Sequence, residues 1–132
     1  MAITTITPTK VKRVNTPFDL EANAALGSLS STDPAYVAST GTYGAKLPFE
    51  KKMGNYALII ENTDSASADV YLRAGGHKAF LNEDLKIEVD ASSAVALNID
   101  TARYVRLEGA DKGYAYVVGA SDDIKVGLIE LP

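Results

Sequence analysis

From residue 55 onward apolar and polar positions alternate with a period of two, the spacing of strands with one dry face. Tyr56, Leu58 and Ile60 share a face, as do Val70, Leu72 and Ala74, and small polar residues lie between the two runs. That pattern predicts two antiparallel strands joined by a short loop. Gly75-Gly76-His77 reads as a tight reversal, after which Leu85, Ile87 and Val89 form an inward set with Lys86 and Glu88 outward. A turn at Asp90–Ser93 leads to the inward set Val95, Leu97 and Ile99. Over Arg103–Glu108, Val105 and Leu107 take one face and Tyr104, Arg106 and Glu108 the other. Gly109–Gly113 has the length and glycine placement of a hairpin loop with a left-handed residue. Tyr114–Val118 and a last run beginning at Ile124, Val126 and Leu128 complete the series. Ile129 and Leu131 put apolar residues on the second face of that run, as expected of a central or doubly covered strand. Seven short, evenly spaced strands within residues 55–131 predict an all-β, antiparallel β-sandwich, jelly-roll-like or immunoglobulin-like.

The first part of the chain follows other rules. Residues 1–14 are dense in β-branched Thr, Ile and Val, which favour extended backbone. Pro8 removes a ladder donor, so an extended N-terminal arm or an interrupted edge strand is expected. Residues 15–54 read as a loop-rich segment packed on the body. Within it, Asp19–Leu29 has near-helical spacing with Gly27 at a candidate C-cap, so a short helix and an irregular loop are both open. Tyr36, Tyr43 and Phe49 lie in or just after the Ser/Thr/Gly-rich run that follows. Aromatic residues in so long a loop either pin it to the domain or form a contact surface, and pinning is the commoner case. The expected organisation is an arm over 1–14, the loop-rich segment over 15–54 and the sandwich body over 55–132.

Composition narrows the function classes. At 132 residues with 46% hydrophobic residues, the chain is long and apolar enough for one folded domain with its own core. It has no cysteine, so neither disulfides nor thiolate metal sites can form. No basic start followed by an apolar run marks a signal peptide, and no stretch is long enough to span a bilayer. The net charge of −4 argues against nucleic acid as the main partner. It is unevenly spread: residues 1–14 carry Lys10, Lys12 and Arg13 and no acid, a charge of +3, and the remainder carries −7. The basic arm either folds back on its own acidic body or reaches an acidic neighbour.

Candidate chemistry is sparse. His77 is the single histidine, so a nitrogen–sulfur metal site cannot be built within one chain, and no nucleophile-elbow motif accompanies it. Glu83-Asp84 and Asp122-Asp123 are adjacent pairs whose side chains diverge, unlike two carboxylates held across a cleft. Asp64 and Asp69 flank the first loop without the alternation or closing Glu of a calcium loop. All read as solvated turn charges. Tyr71, Tyr104, Tyr114 and Tyr116 offer an aromatic platform suited to sugar or peptide, with cross-strand tyrosine pairing the plainer explanation. No catalytic residue, cofactor site or metal site is expected, and the chain is not expected to be an enzyme.

Several stretches resemble small β-sandwich head-decoration (capsid cement or auxiliary) proteins of tailed bacteriophages. They are Tyr56-Ala-Leu-Ile-Ile-Glu-Asn62, Val70-Tyr-Leu-Arg-Ala-Gly75, the Ala/Ser-rich turn before Val95-Ala-Leu, Thr101-Ala-Arg-Tyr-Val-Arg-Leu and the closing Leu128-Ile-Glu-Leu-Pro132. The resemblance covers about residues 55–132 and rests on strand and turn patterns. It implies a non-enzymatic virion protein, made in the host cytoplasm, that adheres to the capsid exterior and reinforces the major capsid protein lattice. Homo-oligomers fit this reading; nucleic acid and membrane do not enter it. It makes Ile3, Ile6, Lys10, Val11, Lys12 and Arg13 candidate arm contacts and Tyr36, Tyr43 and Phe49 candidate loop contacts. The alternatives are a carbohydrate-binding or host-adhesion module using the tyrosine face, and a head-tail connector or tail protein.

Overall fold

A computed structural model describes residues 3–11, 24–49, 56–75, 83–99, 104–107 and 109–131. The chain is all-β, with two sheets packed face to face as a β-sandwich. The first sheet runs β5 (Tyr43–Pro48), β10 (Tyr114–Gly119), β7 (Ala68–Leu72), β8 (Leu85–Val89). The second runs β11 (Ile124–Glu130), β6 (Tyr56–Asn62), β9 (Ser93–Asn98). Period-two alternation turns one face of each sheet inward: Ala45, Leu47, Val70, Leu72, Ala115 and Val117 from the first, and Tyr56, Leu58, Ile60, Ile124, Val126 and Leu128 from the second. Each fully buried Leu, Ile or Val contributes on the order of 2 kcal/mol of transfer free energy, and facing sheets let both sets be dry together.

The first loop is not a hairpin. β6 pairs with β9 and β11, and β7 pairs with β8 and β10, so the two strands lie in different sheets. Residues 63–67 form an arch that brings two amphipathic strands face to face. In a shared sheet, both inward faces would need a covering layer from elsewhere. Asn62 makes the arch hold. Fully buried, its amide donates to the carbonyl oxygens of Ala66 (2.8 Å) and Val89 (3.2 Å), and its Oδ1 accepts from the Asp64 backbone N–H (3.0 Å).

Six of the seven strands predicted beyond residue 55 are present as β6 to β11; of the seventh, predicted over 103–108, the described residues 104–107 form no strand. Tyr104 occupies a helical turn and is buried, Val105 packs against the core beside it, and Leu107 is 48% exposed, so the two predicted faces do not separate. Leu85 also departs from its inward set, being 37% exposed at the start of β8. Arg106 still meets the chain beyond Gly109–Gly113: its N–H donates to the Tyr114 carbonyl (2.8 Å), and the Gly113 N–H donates to its carbonyl (3.0 Å). Gly109 and Gly113 adopt φ of +87° and +90°, the left-handed backbone that glycine takes without steric cost. His77 and Glu108 lie outside the described residues.

The loop-rich segment contains strands that alternation did not reveal. β5 turns Tyr43, Ala45 and Leu47 inward, with Phe49 following in the same parity, but Gly44 and Pro48 among them are poor strand formers, so the run reads as loop. The helical reading of Asp19–Leu29 is replaced, over the described part, by β3 (Ala24–Ala25) and β4 (Gly27–Ser28). Gly27 pairs with Gly44 in a sheet and caps no helix.

The N-terminal segment forms β1 (Thr4–Thr5) and β2 (Thr9–Lys10). β1 joins β5 and β2 joins β11, both in parallel, so the sheets are mixed and not purely antiparallel. β4 lies along the same edge of β5, and β3 along the same edge of β11. The chain thus changes sheet twice on one side of the sandwich, first through residues 6–8 and then through Leu26. Ile6 (3% exposed) and Leu26 (2%) fill the gap there from within the core. Pro8, which cannot donate to a ladder, sits in the first crossing where no ladder is needed.

Candidate functional site

The outward face of the first sheet carries a second apolar cluster: Leu29, Ala35, Tyr116 and Val118, with Ile3, Tyr36 and Tyr71 packed against it. The segment after β4 therefore lies over β10, which is buried on both sides. Gly41 permits the close approach, because a Cβ there would fall 2.7 Å from Val118 Cγ2. The Arg73 guanidinium holds the same segment, donating to the Ala35 carbonyl at 2.9 Å. Its Nε also lies 2.9 Å from Asp84 Oδ2, an ion pair by proximity without hydrogen-bond alignment.

Beside this cluster is a polar knot. Tyr116 donates to Asp111 Oδ2 at 2.5 Å and Lys46 donates to Asp111 Oδ1 at 2.9 Å. The Lys46 ammonium stands 4.9 Å from the Tyr114 ring centre and the Arg106 guanidinium 4.8 Å from that of Tyr116, within cation–π range. The hydrogen bond from Tyr116 holds the Asp111 carboxyl below the usual carboxylate range, with Lys46 adding to it against the opposing effect of burial. Burial, and then the negative charge of Asp111, push the Tyr116 phenol up to about 12. The knot fastens the 109–113 loop to the sheet; its groups are spent on one another.

A separate feature lies at one end of the sandwich. A cleft of about 300 Å³ opens between the 63–67 arch, the β10–β11 turn and the tip of the 37–41 loop. Ser39 and Thr40 line it from the loop, Asp64 from the arch, Asp69 and Tyr71 from β7, and Ser121 from the turn. Its walls are tied together. Thr63 donates from both its N–H (3.0 Å) and its hydroxyl (2.7 Å) to the Asp123 carbonyl, linking arch to turn. Val37 and Gly41 exchange backbone hydrogen bonds of 3.0 and 2.8 Å, closing the loop tip. The Ser92 N–H donates to the Asp64 carbonyl at 3.0 Å.

The predicted contact residues do not converge. Ile6 and Phe49 are buried in the main core, with the Phe49 ring tilted against that of Tyr56 at a centroid distance of 4.8 Å, and Tyr43 packs against that core from β5. Ile3 and Tyr36 pack on the second cluster, so Tyr36, Tyr43 and Phe49 pin their segment to the body. Lys10 is exposed and Val11 half-buried at the end of β2, where the Val11 N–H donates to the Glu130 carbonyl at 2.9 Å. Lys12 and Arg13 lie outside the described residues. Of the tyrosine platform, Tyr71, Tyr114 and Tyr116 do share the outward face of the first sheet, whereas Tyr104 is in the core on the other side. Asp64 and Asp69, solvated turn charges by sequence, both face the cleft; only the arch brings them there. Among the described residues, no group of three or more His, Asp or Glu side chains is placed to hold a metal ion.

The outward face of the second sheet is of another kind. Register places Ala57 beside Ile129, Ile59 between Gly127 and Ala96, and Glu61 between Lys125 and Ala94. Ala94 and Ala96 are exposed, and Ala57, Ile59, Gly127 and Ile129 are half-buried. Small and aliphatic side chains thus cover the middle of this face, with one opposite-charge pair toward an end. No family model, curated protein or solved structure matches the chain.

Proposed function

We propose that this chain is a non-enzymatic structural protein of a phage virion that binds the outer surface of the major capsid protein lattice and reinforces it. The observation that carries the reading is the outward face of the second sheet, where Ala57, Ile59, Ala96, Gly127 and Ile129 form a low-relief apolar surface. Short side chains let another protein's backbone approach closely, and a patch poor in charge loses little on desolvation. The stretches that resemble head-decoration proteins contain much of β6, β7 and β9 and the end of β11, so β6 and β9 also supply part of this face. Lys10, Lys12 and Arg13 add a basic point of attachment at the end of the arm. Modest contacts of this kind hold when repeated across a lattice, because linked sites raise effective concentration.

The test is quantitative occupancy. Mass-spectrometric counting in purified virions should give a copy number that scales with the capsid lattice, and the purified protein should bind particles lacking it to saturation. Ala96→Glu, at an exposed position, should reduce occupancy without unfolding the chain. The charge reversal Lys10→Glu/Lys12→Glu/Arg13→Glu should weaken binding at low salt and flatten its fall with rising salt. A handful of copies per virion would indicate a connector or tail role instead, and unchanged occupancy in the Ala96→Glu variant would remove the sheet face from the interface.

A further inference from the structure

We propose that the cleft between the 63–67 arch, the β10–β11 turn and the 37–41 loop is a binding site for a neutral sugar unit of a glycan. This does not depend on the capsid reading, since the cleft opens from the loop end of the sandwich and not from the outward face of the second sheet.

The cleft combines groups that suit a polyhydroxylated ring. Ser39, Thr40 and Ser121 bring hydroxyls that can donate to a ligand, the Ser121 oxygen already accepting from the Asp123 N–H at 2.9 Å. Asp64 and Asp69 bring carboxylates, which form the stronger, charge-assisted bonds; Asp64 Oδ1 already accepts from the Ser65 N–H at 2.6 Å, which leaves its Oδ2 for a ligand hydroxyl. Tyr71 brings an aromatic ring with an apolar face for the C–H side of a sugar and a polar rim for its hydroxyls. A volume of about 300 Å³ is at the small end of ligand sites.

The walls are fixed before any ligand arrives. Asn62 Oδ1 accepts from the Asp64 N–H and the Ser92 N–H donates to the Asp64 carbonyl, fixing the backbone on both sides of its Cα, and Thr63 binds the arch to the turn. Tyr71 packs against the second apolar cluster, which limits its rotamers. Ordered walls lower the entropy lost on binding. The charge selects among ligands. Two carboxylates disfavour an anion, and Asp69 already has Lys86 Nζ at 3.6 Å, which lessens its pull on a free cation. A neutral ring with many hydroxyls is the ligand these groups can satisfy together.

The experiment is an NMR titration of the isotope-labelled full chain with glucose, galactose, mannose, N-acetylglucosamine and fucose, with calcium chloride and spermidine as parallel probes. At least one sugar should produce saturable shifts at the backbone amides of Ser39, Thr40, Asp64, Asp69, Tyr71 and Ser121. Tyr71→Ala and Asp69→Asn should each weaken that binding by about tenfold or more, the scale of one lost charge-assisted or stacking contact. Tyr71→Phe, which keeps the ring, should retain most of it; a dispersed spectrum shows that each variant is folded. The proposal is overturned if no sugar gives saturable shifts. It is equally overturned if a folded Tyr71→Ala variant binds as before, or if calcium or spermidine saturates the cleft while the sugars do not.

Discussion

Asn62 is where a single side chain has most to lose. It is fully buried at the end of β6, and its amide joins the arch to the end of β8. Asn62→Ala removes three hydrogen bonds of 3.2 Å or shorter and a longer one of 3.4 Å to the Asp90 carbonyl. At about 1 kcal/mol net for each of the three shorter bonds, the loss is roughly 3 kcal/mol. The Ala66 and Asp64 groups border the surface and can turn to water. The Val89 carbonyl belongs to a buried bond and loses this donor where water does not replace it, which keeps the loss from falling much below about 2 kcal/mol. That is a sizeable part of the roughly 5–15 kcal/mol that holds an ordinary domain together. Urea unfolding should show a lower midpoint with an unchanged slope, because the surface exposed on unfolding is the same. In thermal unfolding the midpoint should fall by on the order of 10 °C. Asn62→Asp provides the control. It keeps volume and acceptor but turns the donor into an oxygen aimed at carbonyl oxygens, in a buried place that disfavours charge. At neutral pH it should be no more stable than Asn62→Ala, and it should recover as acid protonates the new carboxyl. An Asn62→Ala variant within about 0.5 kcal/mol of the parent, the range of inert surface changes, would refute the stitching role.

Ile6→Ala should cost about 3 kcal/mol in urea unfolding, since it empties a core position in the sheet crossing; a neutral result would mean the N-terminal segment is a free arm. Tyr116→Phe should cost about 2 kcal/mol at neutral pH, the worth of a hydrogen bond to a charged acceptor. The folded-state pKa of Tyr116, about 12, lies above its ordinary 10.0, so the phenol's contribution is complete below about pH 10 and lost as pH rises toward 12. The stability gap between parent and Tyr116→Phe should narrow over that window, as followed by unfolding at graded alkaline pH. For Asp111 the sign is opposite: its folded pKa is depressed, so its contribution is present above the ordinary 3.8 and disappears as pH falls through the folded value. Asp111→Asn should accordingly flatten the acid limb of the stability profile. Gly41→Ala should cost about 1–3 kcal/mol by pressing a methyl onto Val118, and in a double-mutant cycle Val118→Ala should relieve part of it.

Alternation by itself determined the all-β class and placed six strands to within about two residues, reading inward sets at 70–74 and 95–99 where the strands run 68–72 and 93–98. It did so because a half-buried strand must place apolar side chains at every second residue, and that demand is written locally. The same local code marked Gly109–Gly113 as a loop needing left-handed backbone. It failed at β5, where inward Tyr43, Ala45 and Leu47 are set beside Gly44 and Pro48, and at 104–107, where an alternating pattern ends in a helical turn instead of a ladder.

What only the tertiary structure decided is which strands face and which strands pair. The run Thr63-Asp64-Ser65-Ala66-Ser67 suits a hairpin and an arch equally well; the dry faces of β6 and β7 are satisfied together only when the strands stand in opposite sheets, with Asn62 buried to hold the bend. The N-terminal stretch is likewise extended by its own β-branched residues, but its burial depends on β5 and β11 each leaving an edge open. The cleft follows from the same pairing choices. Asp64, Asp69 and Tyr71 are read from sequence as turn charges and one platform tyrosine, and with Ser121 they meet Ser39 and Thr40 because the arch, the turn and a loop fastened over β10 end at the same point of the sandwich. Chain-local chemistry sets how each residue sits on its strand, while long-range burial sets whose neighbour it becomes.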